Sequence, residues 1–392
     1  MKASERRSII LLLLSSIGVV GANSLVLSPI AADVADSFTG AAATDVMLAA
    51  AAYGAGTAFS ALFLAPRADQ IGLGRSLLLA LVVLGAALCS SAAAPCVTVL
   101  ISSQAIAGLA AGVALPSVYG LTAEVSEQGR ESETLGKVLT GWTLSLVLGV
   151  TFSAALSDLV HWRAVFGILA AVTTVLCLLL ARFGRAQPTA KTGAASHSPL
   201  KALSIPGLPP LLIMVSAYMV AFYGSYAFLG THLTQELGVT TTIAGLAALS
   251  YGIGFGAIAP LDRLIDRHGE VETAPFIFGA LTLAYIGLAA GSENWSGLLA
   301  MCALWGAVNH LGLNLIVGAL TAIRATQRGT ILGLYSAVTY ASMFAGTTVY
   351  KPLFEANGLM WCALVSAVCI VPSTLFSLVR QRRHKLLHQT RK

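Results

Sequence analysis

Twelve blocks of predominantly apolar residues run through this chain, each about 20 residues long and parted from the next by a polar segment. That is the length an α-helix rising 1.5 Å per residue needs to cross roughly 30 Å of hydrocarbon. A helix satisfies its own backbone hydrogen bonds, so it is the default spanning element in lipid. The alternating strands of a membrane barrel are absent from the sequence. Charged residues make up 10% of the 392 positions, against roughly 25% in soluble proteins, too few to cover a water-facing surface of this size. The blocks predict spans at about 8–31, 44–66, 76–94, 97–121, 136–158, 162–183, 208–230, 240–261, 273–291, 296–321, 330–350 and 356–379. The fold class is therefore an all-α membrane protein of twelve transmembrane helices.

The first block follows Lys2, Arg6 and Arg7 and runs into Gly21-Ala22-Asn23, a pattern similar to a secretory signal. Its apolar run continues to Ala31, longer than a signal core, and is read as the first spanning helix. The six cysteines, Cys89, Cys96, Cys177, Cys302, Cys362 and Cys369, show no metal-ligand spacing and read as small apolar packing residues. No metal or cofactor is expected. With the N-terminus in the cytoplasm and the helices alternating, 21 of the 23 basic residues fall on the cytoplasmic side, leaving only Arg163 and Lys351 outside. One helix more or fewer would scramble this split. It predicts a multi-pass protein of the cell (inner) membrane with both termini cytoplasmic. It also accounts for the net charge of +6 without invoking nucleic acid. The basic tail, 380–392, is expected to anchor the last helix at the anionic cytoplasmic leaflet.

The longest polar stretch, 184–207, separates a six-helix bundle at 1–183 from a second at 208–379. The two halves repeat each other. Asp69-x-x-Gly72 recurs as Asp266-x-x-Gly269, Leu135-Gly136 as Leu332-Gly333 and Gly149 as Gly346, each at an offset of 197. Tyr53-Gly54-x-Gly56 recurs as Tyr251-Gly252-x-Gly254 at 198. A common offset in matching loops and helices is hard to obtain by chance. Six is an even number of passes, so the repeats share one orientation, the parallel arrangement about an axis along the membrane normal.

At this point the chain resembles the major facilitator superfamily over essentially its full length. Its loop between helices 2 and 3, Ala65-Pro66-Arg67-Ala68-Asp69-Gln70-Ile71-Gly72-Leu73-Gly74-Arg75, is similar to that family's G-x-x-x-D-R-x-G-R signature, with Gln70 in place of the Arg. The second copy, Asp266-Arg267-His268-Gly269, keeps D-R-x-G. Trp162-Arg163-Ala164-Val165-Phe166 is similar to the W-R-x-x-F turn into helix 6, and Pro29-Ile30-Ala31-Ala32-Asp33 to the end of helix 1 in the twelve-helix drug- and sugar-efflux branch. A glycine permits the tight turn the loop needs, and a carboxylate there suits the positive N-terminus of a neighbouring helix. The resemblance implies that Asp69 meets the start of helix 11 and Asp266 the start of helix 5, with Gly72, Arg75, Arg267 and Gly269 completing two gating motifs that hold the cytoplasmic side closed.

The resemblance also implies that helices 1, 4, 7 and 10 line a central cavity. Among their polar residues, His310 is the ionisable group nearest the middle of a span, an expensive placement that marks a functional candidate. Histidine is also the side chain that changes charge nearest neutral pH. Asn314 shares its helix face, and Trp305 with Asn309 forms a second i, i+4 pair alongside. The alternative for His310 is a neutral ring hydrogen-bonded between helices. Tyr223 and Tyr226 on helix 7, Gln104 and Tyr119 on helix 4, Asn23 on helix 1 and Tyr335 on helix 11 complete the candidate set for substrate or proton binding. Aromatic rings with a few polar groups suit an amphipathic organic solute. Each is equally explained as an interhelical contact. Efflux relatives often carry an acidic residue in helix 1 and a buried Arg in helix 4, and a G-P pair in helix 5. Here the corresponding residues are Gly21-Ala22-Asn23-Ser24, Gln104 and Gly149-Val150.

The expectation is a secondary transporter, and by branch resemblance an exporter, of a small organic solute, acting as a monomer with protons as a candidate coupling ion. Import or uniport is the alternative, as is a membrane sensor that keeps the fold without transporting. A membrane-embedded enzyme would need intramembrane Asp pairs, an H-E-x-x-H helix or a Ser-His pair, none of which the sequence contains. A channel would need a pore loop or charged ring, which are also missing.

Overall fold

The computed structural model describes residues 3–127, 130–184, 199–323 and 328–389, and these are almost entirely helical. The first half comprises α1 (Ala3–Leu25, resumed at Leu27–Asp36), α2 (Ala43–Phe63), α3 (Leu73–Ala92), α4 (Val97–Val125), α5 (Glu131–Leu144, continued through Ser145–Val150 and Thr151–Leu159) and α6 (Trp162–Gly184). The second comprises α7 (Leu208–Thr231, with a last turn His232–Glu236), α8 (Thr241–Ala257), α9 (Glu270–Ala290), α10 (Trp295–Ile323), α11 (328–357) and α12 (359–389). Eleven helices are long and apolar enough to span a bilayer, and the longest, Thr330–Arg382, is two passes folded back at Gly358 (φ +74°). Twelve passes result, with both ends of the described residues on one face.

The sequence reading places the α11–α12 connection at 351–355. The structure places it at Gly358, the left-handed residue there, so α11 runs further and carries Lys351 and Glu355 on its last turns. Pro352 does not stop the helix, and Lys351 lies 3.7 Å from Glu355, one turn on. At the other end α12 continues to Gln389, so most of the basic tail prolongs the last helix. Arg380 pairs with Glu270 at 3.2 Å, and Gln381 donates to Glu272 at 3.0 Å. Of the expected linker, residues 185–198 lie outside the described residues; Pro199–Ser204 form a short 3-10 turn, and Gly207 (φ +86°) leads into α7.

Glycine decides how closely the helices of each half approach. A Cβ on Gly108 would lie 2.1 Å from the Tyr53 carbonyl oxygen, and one on Gly306 2.0 Å from that of Tyr251. Backbone therefore rests on backbone where α2 crosses α4 and where α8 crosses α10, the small-residue packing expected of helices in lipid. The same crossing is built twice, since both pairs stand 198 residues apart. Pro29 lacks the N–H that would continue α1, and the helix bends just before it, at Val26. In α5 the residues Ser145–Val150 form a π-helical turn. It lies against α1, where Gly149 faces Ala22, and against α8, where Gly252 faces Val147. Such single-turn widenings occur often at functional sites.

Candidate substrate pathway

His310, at the sixteenth position of α10, is only partly buried, its side chain 18% exposed. Its Nε2 lies 3.1 Å from Oδ2 of Asp262, which opens the short helix Asp262–His268 after α8. The sequence gives no carboxylate on His310's own helix; the fold supplies one from another. Phe255 on α8 meets the imidazole edge-on, 4.7 Å between centroids. Among the described residues, His310 Nδ1 and Asp262 Oδ1 are buried without hydrogen-bond partners. The positions 198 residues earlier are Gly112 and Leu64, so the first half has no counterpart to this pair.

Next to it Asn309 is the hub of a tie between helices. Its amide donates to the Tyr251 hydroxyl at 2.5 Å, and its backbone carbonyl accepts from Tyr218 at 2.5 Å. Trp305, one turn earlier, is 1% exposed. Its ring lies 4.9 Å from Tyr251 and 5.4 Å from Phe222, and Phe222 stacks on Tyr226 at 5.5 Å. Asn309, Trp305, Tyr223 and Tyr226 thus belong to one aromatic wall of α7, α8 and α10. Across the halves Tyr53 meets Tyr340 of α11 edge-on at 6.0 Å. Among the described residues, the hydroxyls of Tyr226 and Tyr340 and the Asn309 Oδ1 are buried without partners. Tyr119 and Tyr335 are half-buried, and Asn314 is exposed.

The remaining two candidates sit elsewhere. Asn23 and Gln104 are 2% and 0% exposed and bond each other inside the first half, Asn23 Nδ2 donating to Gln104 Oε1 at 2.9 Å. Gln104 also donates to Ser91 Oγ at 3.0 Å. This network pins α1, α3 and α4 together. In the loop motifs Gly72 (φ +93°) and Gly269 (φ +84°) both occupy left-handed backbone, where a side chain would be strained. Arg75 and Arg267 are exposed. The side chains of Asp69 and Asp266, on which the gating expectation rests, lie outside the described residues.

Sequence reasoning missed the contacts that join the halves. Asp33 on α1 accepts from Ser157 of α5 at 2.5 Å and, across the interface, from Thr241 of α8 at 2.7 Å. Asp158 accepts from Thr242 and Glu355 from Thr44. Lys351 pairs with Asp45, and Ser28 donates to the Tyr226 carbonyl at 2.6 Å. These polar contacts gather on the face opposite the chain termini. There α1 and α7 also touch backbone to backbone, a Cβ on Gly230 falling 2.1 Å from the Ser28 carbonyl oxygen. On the termini-bearing face Arg6 pairs with Glu127 and Arg380 with Glu270, each within one half. Two clues were legible: Lys351 is one of two basic residues on its side, and Asp33 lies in the Pro29–Asp33 segment.

The fold just described, two parallel six-helix repeats packed against each other, has a family, and the family's model, described as Major Facilitator Superfamily, matches residues 11–347. The chain belongs to the major facilitator superfamily. It is therefore a multi-pass membrane transporter and not an enzyme. This major facilitator is 27% identical over 399 residues to an uncharacterized MFS-type transporter, YwfA, of Bacillus subtilis (strain 168), the match covering 99% of this chain and 96% of the relative. It is 25% identical over 278 residues to a probable sugar efflux transporter of Mannheimia succiniciproducens, covering 67% and 68%. Its fold is similar to the crystal structure of a bacterial homolog of the human lysosomal transporter Spinster, captured in an inward-facing and unoccupied conformation. The TM-score is 0.73 at 15% identity, over 97% of this chain and 98% of that one.

Proposed function

We propose that this major facilitator exports a small organic solute by alternating access, with its substrate held between the halves against the α7, α8 and α10 aromatic wall. The observation that carries the reading is the set of polar contacts that closes the face opposite the termini. Polar contacts between the halves gather there, as suits a carrier that rocks its halves about a central site. The 21-to-2 division of basic residues supports assigning that face to the outside and both termini to the cytoplasm. Tyr226, Tyr340 and Asn309 offer unpartnered hydrogen-bonding atoms beside aromatic faces, a combination suited to an uncharged or weakly charged ring-bearing solute. Export follows from the branch resemblance and from the efflux relative.

The His310–Asp262 pair is the reading's proton site. A proton shared between imidazole and carboxylate makes the pair neutral overall; its loss leaves one net negative charge at this half-buried place, so the two states differ in their electrostatic demand on the surroundings. Asn23 and Gln104 form an uncharged pair where efflux relatives often carry charges, so the first half holds no titrating partner at that place. That observation favours a second reading, uniport, if the His310 pair proves silent. The gating role of Asp69 and Asp266 belongs to this proposal, as does a monomer as the working unit.

The test is counterflow in proteoliposomes with compounds found by a thermal-shift screen, run with and without a pH gradient. Solute accumulation that requires the protein and responds to the gradient is the expected result. Binding without any flux would leave the sensor reading in its place.

A further inference from the structure

The bonds that close the face opposite the termini are partly copies of one another. The offset between α2 and α8 is 198, as Tyr53 and Tyr251 show, and between α5 and α11 it is 197, as Gly149 and Gly346 show. Thr44 and Thr242 stand 198 apart, each the second residue of its helix. Asp158 and Glu355 stand 197 apart, near the ends of α5 and α11. Thr44 donates to Glu355 at 2.6 Å, and Thr242 donates to Asp158 at 2.5 Å. Each half thus supplies one hydroxyl and one carboxylate, and the two bonds cross the interface in opposite senses, exchanged by the pseudo-twofold relation of the repeats.

The chemistry suits this task. A hydroxyl donating to a carboxylate is a charge-assisted bond, stronger than a neutral one. Each carboxylate also faces the first turn of a helix, where free N–H groups and the helix dipole favour negative charge; the Thr242 N–H itself reaches Asp158 at 3.3 Å. Asp45–Lys351 and Asp33–Thr241 lack this duplication. Asp45 and Lys351 correspond to Ile243 and Ala154, and Thr241 corresponds to Ala43, which has no hydroxyl.

We propose that Thr44–Glu355 and Thr242–Asp158 form a twofold latch whose two repeat-related bonds set the balance between the states closed and open on this face. The inference rests on the reading that the halves rock. Rocking separates α2 from α11 and α8 from α5 together, so neither bond opens alone. Losing one weakens closure by one bond's worth whichever side it comes from, and losing both multiplies the two effects. Asp33–Thr241 and Asp45–Lys351 bias the same balance from one side each.

The experiment is hydrogen exchange read by mass spectrometry on the full chain in lipid nanodiscs, with Thr44→Val, Thr242→Val and the double variant. Valine keeps the shape and removes the hydroxyl. Each single variant is expected to speed exchange about tenfold in 27–36, 151–159 and 232–243, and the double about a hundredfold. Exchange at 65–72 and 262–269, on the opposite face, is expected to slow, which partial unfolding would not produce. Thr44→Ser and Thr242→Ser keep the hydroxyl and should match the parent. So should Thr348→Val, because that hydroxyl bonds Phe344 of its own helix. Unchanged exchange in either single variant, faster exchange on both faces, or no change in the double variant would each overturn the latch. A chain that shows the face-exchanging response but no flux in proteoliposomes keeps the latch and loses the transport reading. Flux without that response does the reverse.

Discussion

Gln104→Leu separates a packing role from a substrate role for the first half's buried amides. Gln104 accepts from Asn23 at 2.9 Å and donates to Ser91 at 3.0 Å; its own amide reaches back to Asn23 Oδ1 at 3.4 Å. Ser91 keeps its bond to the Ala87 carbonyl when Gln104 is lost. The damage therefore falls on Asn23, whose amide is 2% exposed and keeps no side-chain partner among the described residues. Interhelical hydrogen bonds in membranes contribute about 0.6 kcal/mol on average and up to about 1.7. An orphaned buried group costs about 1–3 kcal/mol. Loss of one good bond and one long one, with Asn23 left unpaired, gives an expected destabilisation of about 1–3 kcal/mol. Unfolding in mixed detergent micelles measures it. The double variant Asn23→Leu/Gln104→Leu removes both amides and should fall short of the additive sum by about 1 kcal/mol or more. A Gln104→Leu protein as stable as the parent, or strict additivity, refutes the reasoning. Ligand affinity should stay within about twofold throughout, because neither side chain reaches the aromatic wall.

His310→Ala and Asp262→Asn are each expected to flatten the pH dependence of transport while leaving insertion intact; a profile like the parent's in either variant removes the pair from coupling. Asp69→Asn should insert normally and transport at least tenfold more slowly in counterflow, and full activity would dismiss its gating role. Gly108→Ala and Gly306→Ala place a methyl group against backbone at 2.1 Å and 2.0 Å. Each should lower stability by about 1–3 kcal/mol in detergent melting. If only one of the two does so, the duplicated crossings are not energetically alike.

Much of this molecule was legible without coordinates because lipid imposes so few solutions. Block length set the number of passes, loop charges set their alternation, and a constant offset exposed the repeat. His310 was singled out on similar grounds, as an ionisable group within a span; its part in transport is a proposal. The left-handed turns at Gly72 and Gly269 were equally readable from residue type.

Only the tertiary structure decided what those residues meet. Asp262 reaches His310 from 48 positions away and Glu355 reaches Thr44 from 311 away, and nothing local in the sequence encodes either pairing. The same holds for Asn23 and Gln104, which sequence reasoning offered as cavity groups and the packed bundle turns toward each other. The sequence alone determined twelve helices in two parallel halves, because each helix must satisfy its own backbone and its own thickness of lipid. The tertiary structure decided which side chains join those halves, because such contacts depend on residues from different helices meeting in space.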